Sequence, residues 1–377
     1  MSAPHGMSRR RSAAVIALVV LATLITFVGS LTVWSKRQLL DNEAWRTSSA
    51  RLLQEPAVRS ALATTLVDQL YANVDVEQQL RQNLPAGTKG LAPELASALQ
   101  TASTRAAETF LGTARGQQLW VELSGRAHAQ LVRALEGKSV RGIGTANGEI
   151  VLDLRPMLQR LANRVGVGDR LATALPPDAG RIVLLRSDQL KNAQHAVRVL
   201  NALSVVVAIV ALALYAIAIW VARGARLRTL AWSGGSLVLV GLLVLIVRRL
   251  VGHWITGSLV KTLANRPAVG QAWLIETDLL RDIALALVLY GVVAIVAAWL
   301  GSAARHAVAL RAWLAPSFRD HAFAVYAVAT VVFLALIAWG PSSGSRRVLG
   351  TLVLAALLYT GLTLWRRQML SENAAPS

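Results

Sequence analysis

Six stretches of this chain carry no Asp, Glu, Lys, Arg or His: residues 13–35, 199–222, 229–247, 283–304, 322–345 and 348–365. Each is about as long as the roughly 20 helical residues that cross a hydrocarbon core about 30 Å thick. Backbone amides in lipid must find their partners within the segment, so such runs read as transmembrane helices. The composition agrees: the chain is 54% hydrophobic and 16% charged, against about 25% charged residues in an average soluble domain. The predicted fold is mainly α, a six-helix transmembrane protein with spans at 13–35, 199–222, 229–250, 283–304, 322–340 and 348–365. One long polar segment, 36–198, is large enough to bury a core of its own.

The formal charge of +19 raises the question of nucleic acid, and its distribution answers it. Segment 36–198 holds 21 Lys and Arg against 15 Asp and Glu, leaving 18 basic and 5 acidic residues for the rest of the chain. Those cations cap the apolar runs instead of lining a folded face, the pattern of membrane orientation and of contact with anionic lipids. The lipid bilayer is thus the predicted partner, and nucleic acid is not. The chain has no cysteine, which rules out disulfides, thiolate metal sites and cysteine nucleophiles.

Orientation follows from Arg9, Arg10 and Arg11, a cluster that stays in the cytoplasm ahead of the first run. A cleavable signal peptide competes, because small residues near Gly29 and Ser30 suit a signal peptidase. The run nevertheless extends to Trp34, beyond the usual core of about 7 to 15 residues, and favours an uncleaved anchor. Alternation then puts 36–198 on the extracytoplasmic side, together with loop 251–282. The turn holding Arg223, Arg226 and Arg228, loop 305–321 and tail 366–377 fall in the cytoplasm. Short inside segments carry 11 Lys and Arg against 7 outside. Trp34, Trp220, Trp232, Trp299, Trp339 and Trp365 each stand near an end of a different span, where aromatic rings favour the interface.

Within 36–198, apolar residues recur at helical spacing from Asn42 to Glu136, and Pro56 and the "PAGTKG" loop divide this region into four predicted helices. Beyond Gly137 the period becomes alternating. Residues 140–143 and 149–152 flank "GTANG", with Asn147 and Gly148 suited to a tight connection, so a minor β-hairpin is expected, followed by a short helix at 155–165 and a strand at 181–185. A helix capped by Ser187 then runs to about residue 222, with Leu190, Ala193, Val197 and Leu200 on one face and Asp188, Lys191, Gln194 and Arg198 suited to water. It forms a junction, without proline or glycine, from the outer domain into the membrane. "HWITGSLVKTL", ended by Pro267, and "ARHAVALRAWLAP" read as interfacial helices or as helices packed on the bundle.

Catalytic patterns are scarce. None of the six histidines has a second ligand at metal-site spacing, no G-x-S-x-G or GxxxxGK occurs, and "GIGTANG" lacks the following helix of a phosphate loop. No cofactor or metal is therefore expected. The spans lack the mid-membrane charges and prolines of ion-coupled transporters. Small residues at four-residue spacing, Ser204 and Ala208, Ala294 and Ala298, Ala297 and Gly301, suit close helix packing.

The order of an anchor, "EPAVRSALATTLVDQLY", "VDVEQQLRQNLP", "LWVELSGRAHAQLVRAL", "IVLLRSDQL" and the apolar bundle resembles an uncharacterised family of actinobacterial multi-pass membrane proteins, over nearly the whole chain. The resemblance implies a bacterial plasma membrane and this topology, and it supplies no site residues. The expected function is non-enzymatic: binding, sensing or scaffolding by an extracytoplasmic domain joined rigidly to the bundle, with an unspecified ligand or protein partner. The alternatives are a transporter, channel or lipid-handling protein with the domain as a lid, and a membrane enzyme in which His128 meets Glu122 or Asp188.

Overall fold

The computed structural model describes residues 8–138, 150–153, 181–185, 187–259, 265–302 and 304–309, with isolated positions at 327, 330, 331 and 363. It is mainly helical: α1 (Arg9–Leu40), α2 (Asn42–Gln54), α3 (Pro56–Asn73), α4 (Val76–Asn83), a 3-10 turn (Ala86–Leu91), α5 (Ala92–Gly112), α6 (Ala114–Leu135), α7 (Ser187–Val221), α8 (Arg226–Trp254), a π-turn (Ile255–Leu259), α9 (Arg266–Glu276) and α10 (Asp278–Leu300). The chain divides into two compact units, Met1–Trp34, Leu203–Trp254 and Thr277–Ser377 in the first, Ser35–Ala202 and Ile255–Glu276 in the second.

Among the described residues, four helices are long and apolar enough to cross a membrane, Arg9–Leu40, Lys191–Val221, Arg226–Gly257 and Asp278–Leu300. The other two of the six expected spans, 322–340 and 348–365, lie outside the described residues. α1 continues past the predicted end at 35 because "KRQLL" is good helix-forming sequence and nothing stops it before Asp41. α10 starts before the predicted 283, with Asp278 in its first turn, where a carboxylate favours the helix dipole.

In the first unit α8 and α10 run antiparallel along a seam of small residues. A Cβ added to Gly234 would lie 2.6 Å from Gly291 O, and one added to Gly241 would lie 2.6 Å from Ala284 O. One further step of seven brings Arg248 Nε to Thr277 Oγ1, which accepts its hydrogen bond at 2.8 Å. Seven residues forward on α8 thus match seven backward on α10. This repeat keeps one stripe of each helix on the other. Val240, Val244, Leu280 and Ala284 are buried beside the seam, with Phe27, Leu31 and Trp34 of α1 packed on them. Val19 and Ala22 of α1 meet Tyr215 and Ala218 of α7. The outward faces stay apolar: Leu24, Ile209, Leu212, Leu239 and Val293 are all exposed, as suits lipid.

The second unit is a helical body with Leu53 of α2, Ala63 of α3 and Leu111 of α5 at its centre, covered by Leu62, Ala107 and Trp120. Five α-helices replace the four expected between Asn42 and Glu136, α4 being the short additional one; three of the starts are capped by side chains. Asp41 Oδ1 accepts from the amides of Glu43 and Ala44, Asp75 Oδ1 from Gln78, and Thr113 Oγ1 from Gly116. Pro56 opens α3, as proline does in a first turn.

Of the predicted interfacial helix before Pro267, residues 260–264 lie outside the described residues. The chain makes the π-turn at Ile255–Leu259 and then, with Pro267 in its opening turn, α9. α9 packs on α3 and α2 of the helical body, burying Ala268 and Ile275, two turns apart on one face. Gln38 Nε2 donates to Glu276 at the end of α9. The inner counterpart is helical at 305–309, beyond which it lies outside the described residues.

Strand β1 (Ile150–Asp153) pairs antiparallel with β2 (Arg181–Leu185), Val151 opposite Val183, with a bulge between Ile150 and Val151. A hairpin of 140–143 with 149–152 is not supported. The alternating pattern marks a strand without choosing its partner, and the apolar "RIVLL" is the partner it takes. Residues 140–149 and the helix expected at 155–165 lie outside the described residues.

Candidate functional site

One end of α6 faces α2 across a recess of about 560 Å³, lined by Arg46 of α2 and by Gln117, Gln118, Val121, Glu122 and Arg126 of α6. The α6 residues recur at helical spacing, so one face of that helix forms the floor. Gly125 seats the arginine: a Cβ there would come within 3.0 Å of Arg46 Cγ, so the aliphatic stem lies on bare helix backbone. Arg126 is paired with Glu122 one turn earlier, while no ion pair engages Arg46 among the described residues. The recess therefore has one unbalanced positive charge beside two side-chain amides, a surface suited to a carboxylate or another anion. Ser49 and Ser124 share a 2.9 Å hydrogen bond that fixes α2 on α6 next to it.

His128, two residues beyond Arg126, points to the other side of α6 and is buried, 6% exposed. Its ring stacks on Trp45 with centroids 4.6 Å apart and planes 8° from parallel. Nε2 lies 3.1 Å from Leu39 O, one of the last carbonyls of α1, and Nδ1 lies 2.8 Å from the Asn42 side-chain amide. Leu39 O can only accept, so Nε2 carries a proton. The atom facing Nδ1 is Asn42 Oδ1, which accepts from it when the ring is charged. Burial pushes the imidazole below its ordinary pKa, opposed by the Leu39 carbonyl and by the nearby Asp41 carboxylate. The ring serves as a clamp on the α1–α2 corner. It does not meet Glu122, which belongs to Arg126, and the Asp188 side chain lies outside the described set.

The other sequence-predicted residues scatter. Arg9, Arg10 and Arg11 are exposed in the first turn of α1. Trp220, Trp232 and Trp299 are 62, 48 and 43% exposed, whereas Trp34 packs against the α8–α10 core. Trp339 and Trp365 lie outside the described residues. Along the junction helix Val197 is buried and Leu200 half-buried, and the side chains of Ser187 and Leu190 are not described. Gln194, expected in water, donates to Ala134 O at 2.8 Å. No group of three His, Cys, Asp or Glu suited to a metal occurs among the described residues. Arg46 was missed by sequence reading: only its contact with Gly125, far along the chain, singles it out.

Comparison of the chain with protein-family models, curated proteins and solved structures gives no match.

Proposed function

We propose that this is a multi-pass protein of the bacterial plasma membrane whose helical body binds or senses an extracytoplasmic ligand or protein partner without catalysing a reaction. The observation that carries the reading is the Arg46 recess, a cationic surface with a glycine seat for an arginine that is in no ion pair among the described residues. Six spans, cytoplasmic flanks and kinship with the actinobacterial family it resembles belong to the same proposal. α7, helical from Ser187 to Val221 without interruption, supplies a stiff connection for passing on a binding event. Complementation of a gene deletion tests this. The variant R46E/R126Q should reach normal abundance and fail to complement; full complementation overturns the recess as the working surface.

A transporter or channel is the second reading, favoured by hydroxyls inside the first unit. Tyr215 Oη and Ser236 Oγ are 2.9 Å apart, and Ser233 Oγ is buried with no hydrogen-bond partner among the described residues. Loss of function in Y215F or S233A, with R46E/R126Q unaffected, would favour it.

A further inference from the structure

We infer that the turn between α7 and α8 is a binding site for a phosphate-ester anion, in which two tryptophan rings hold the guanidinium groups of Arg223 and Arg228 and Arg226 stands between them. The turn is tight. α7 ends at Val221 and α8 begins at Arg226, with Gly224 in the left-handed region at φ 89°. Ala225 N donates to Ala222 O at 3.0 Å, and Thr229 N to Ala225 O at 3.0 Å. Ala222 and Thr229 are buried on either side, so the base of the turn is fixed.

Arg223 lies over the Trp220 ring at 5.3 Å and Arg228 over the Trp232 ring at 5.5 Å. Stacking uses the face of a guanidinium and leaves its in-plane N–H donors free, the edge that grips two oxygens of a phosphate at once. The sequence has no Asp or Glu between Asp188 and Glu276, and none of the three arginines is in an ion pair among the described residues. All three are exposed. Positive charge beside apolar spans serves orientation by itself, and lysine would serve that equally well. The tryptophan-backed guanidiniums are what orientation does not require. A phospholipid headgroup and free phosphate share the chemistry that this turn recognises. The inference is independent of what the Arg46 recess binds and rests only on α7 and α8 lying in a membrane.

The test uses the purified full chain in neutral detergent, with bound lipid counted by native mass spectrometry. Phosphatidylglycerol, whose phosphodiester carries a net negative charge, should be retained about tenfold over phosphatidylcholine, a difference of about 1.4 kcal/mol. The variant R223K/R226K/R228K keeps charge and topology and should lose most of that preference, whereas R9K/R10K/R11K should keep it. Retention of the full preference by the first variant, or none in the wild type, overturns the site. If millimolar inorganic phosphate displaces the lipid, the site takes phosphate from solution as well; if it does not, the headgroup in its bilayer is the ligand.

Discussion

Gly234 and Gly291 meet backbone to backbone: a Cβ on Gly291 would stand 2.5 Å from Gly234 O, and one on Gly234 would stand 2.6 Å from Gly291 O. Approach this close brings Cα–H groups onto facing carbonyls and maximises dispersion, the two contributions left when lipid removes the hydrophobic drive between helices. The G291A variant must spread α8 from α10 along the whole seam, since Gly241, Ala284 and the Arg248–Thr277 hydrogen bond lie on the same stripe. Thermal unfolding in micelles should show a loss of about 2 kcal/mol. At the adjacent Gly235 a Cβ meets nothing within 4 Å, so G235A should unfold like the wild type.

The turn from α5 to α6 depends on Gly116 in the same steric sense. Its absent Cβ would lie 2.0 Å from Phe110 O and 3.1 Å from Leu111 Cα, both backbone atoms that cannot swing aside. At the exposed Gly112 the nearest atom is the mobile Arg59 side chain at 3.6 Å. Chemical denaturation should therefore separate two like substitutions. G116A should cost about 3 kcal/mol by overpacking, while G112A, at the last turn of α5, should be neutral or gain up to about 1 kcal/mol in helix propensity.

His128 makes the α1–α2 corner sensitive to acid. Because burial lowers its pKa in the fold, the unfolded chain binds the proton more readily. The stabilisation is complete above the unfolded value of about 6.5 and is lost as pH falls through the lower folded value. Denaturation followed between pH 7.5 and 5 should show the wild type weakening toward acid. H128Q should be weaker at pH 7.5, by about 1 to 3 kcal/mol for the stack and hydrogen bonds removed, and flatter across the range. An equal slope in the variant would assign the acid loss to other groups.

Much of this architecture is legible in the sequence where the signal is local. Uncharged length marks the four long apolar helices, and Pro56, Asp75 and Thr113 mark helix starts because proline and short oxygen side chains act within one turn. What sequence reading misses is relational. Small residues spaced by four suit close packing, yet the seam uses Gly234, Gly241 and Arg248, spaced by seven, a stripe that acquires meaning only against its antiparallel mate. Pro267 read as a stop because a proline ends one helix and begins another equally well; the body onto which α9 packs decides which. The burial of His128 fits a satisfied helix histidine. Its partners Leu39 and Asn42, like the Gly125 seat of Arg46, lie too far along the chain for spacing to reveal.

The proposed sidedness gives the last expectation. With α1 leaving the cytoplasm, α7 returning, α8 leaving and α10 returning, Thr88 in the helical body and Ala304 beyond α10 face opposite compartments. Both are exposed, and a chain without cysteine carries no background thiol. In intact cells a membrane-impermeant maleimide should label T88C and spare A304C. Permeabilisation should add A304C without raising T88C. The reverse pattern inverts the protein and moves the Arg46 recess into the cytoplasm. Equal labelling of both sites before permeabilisation would put them on one side, which an odd number of crossings between them cannot produce.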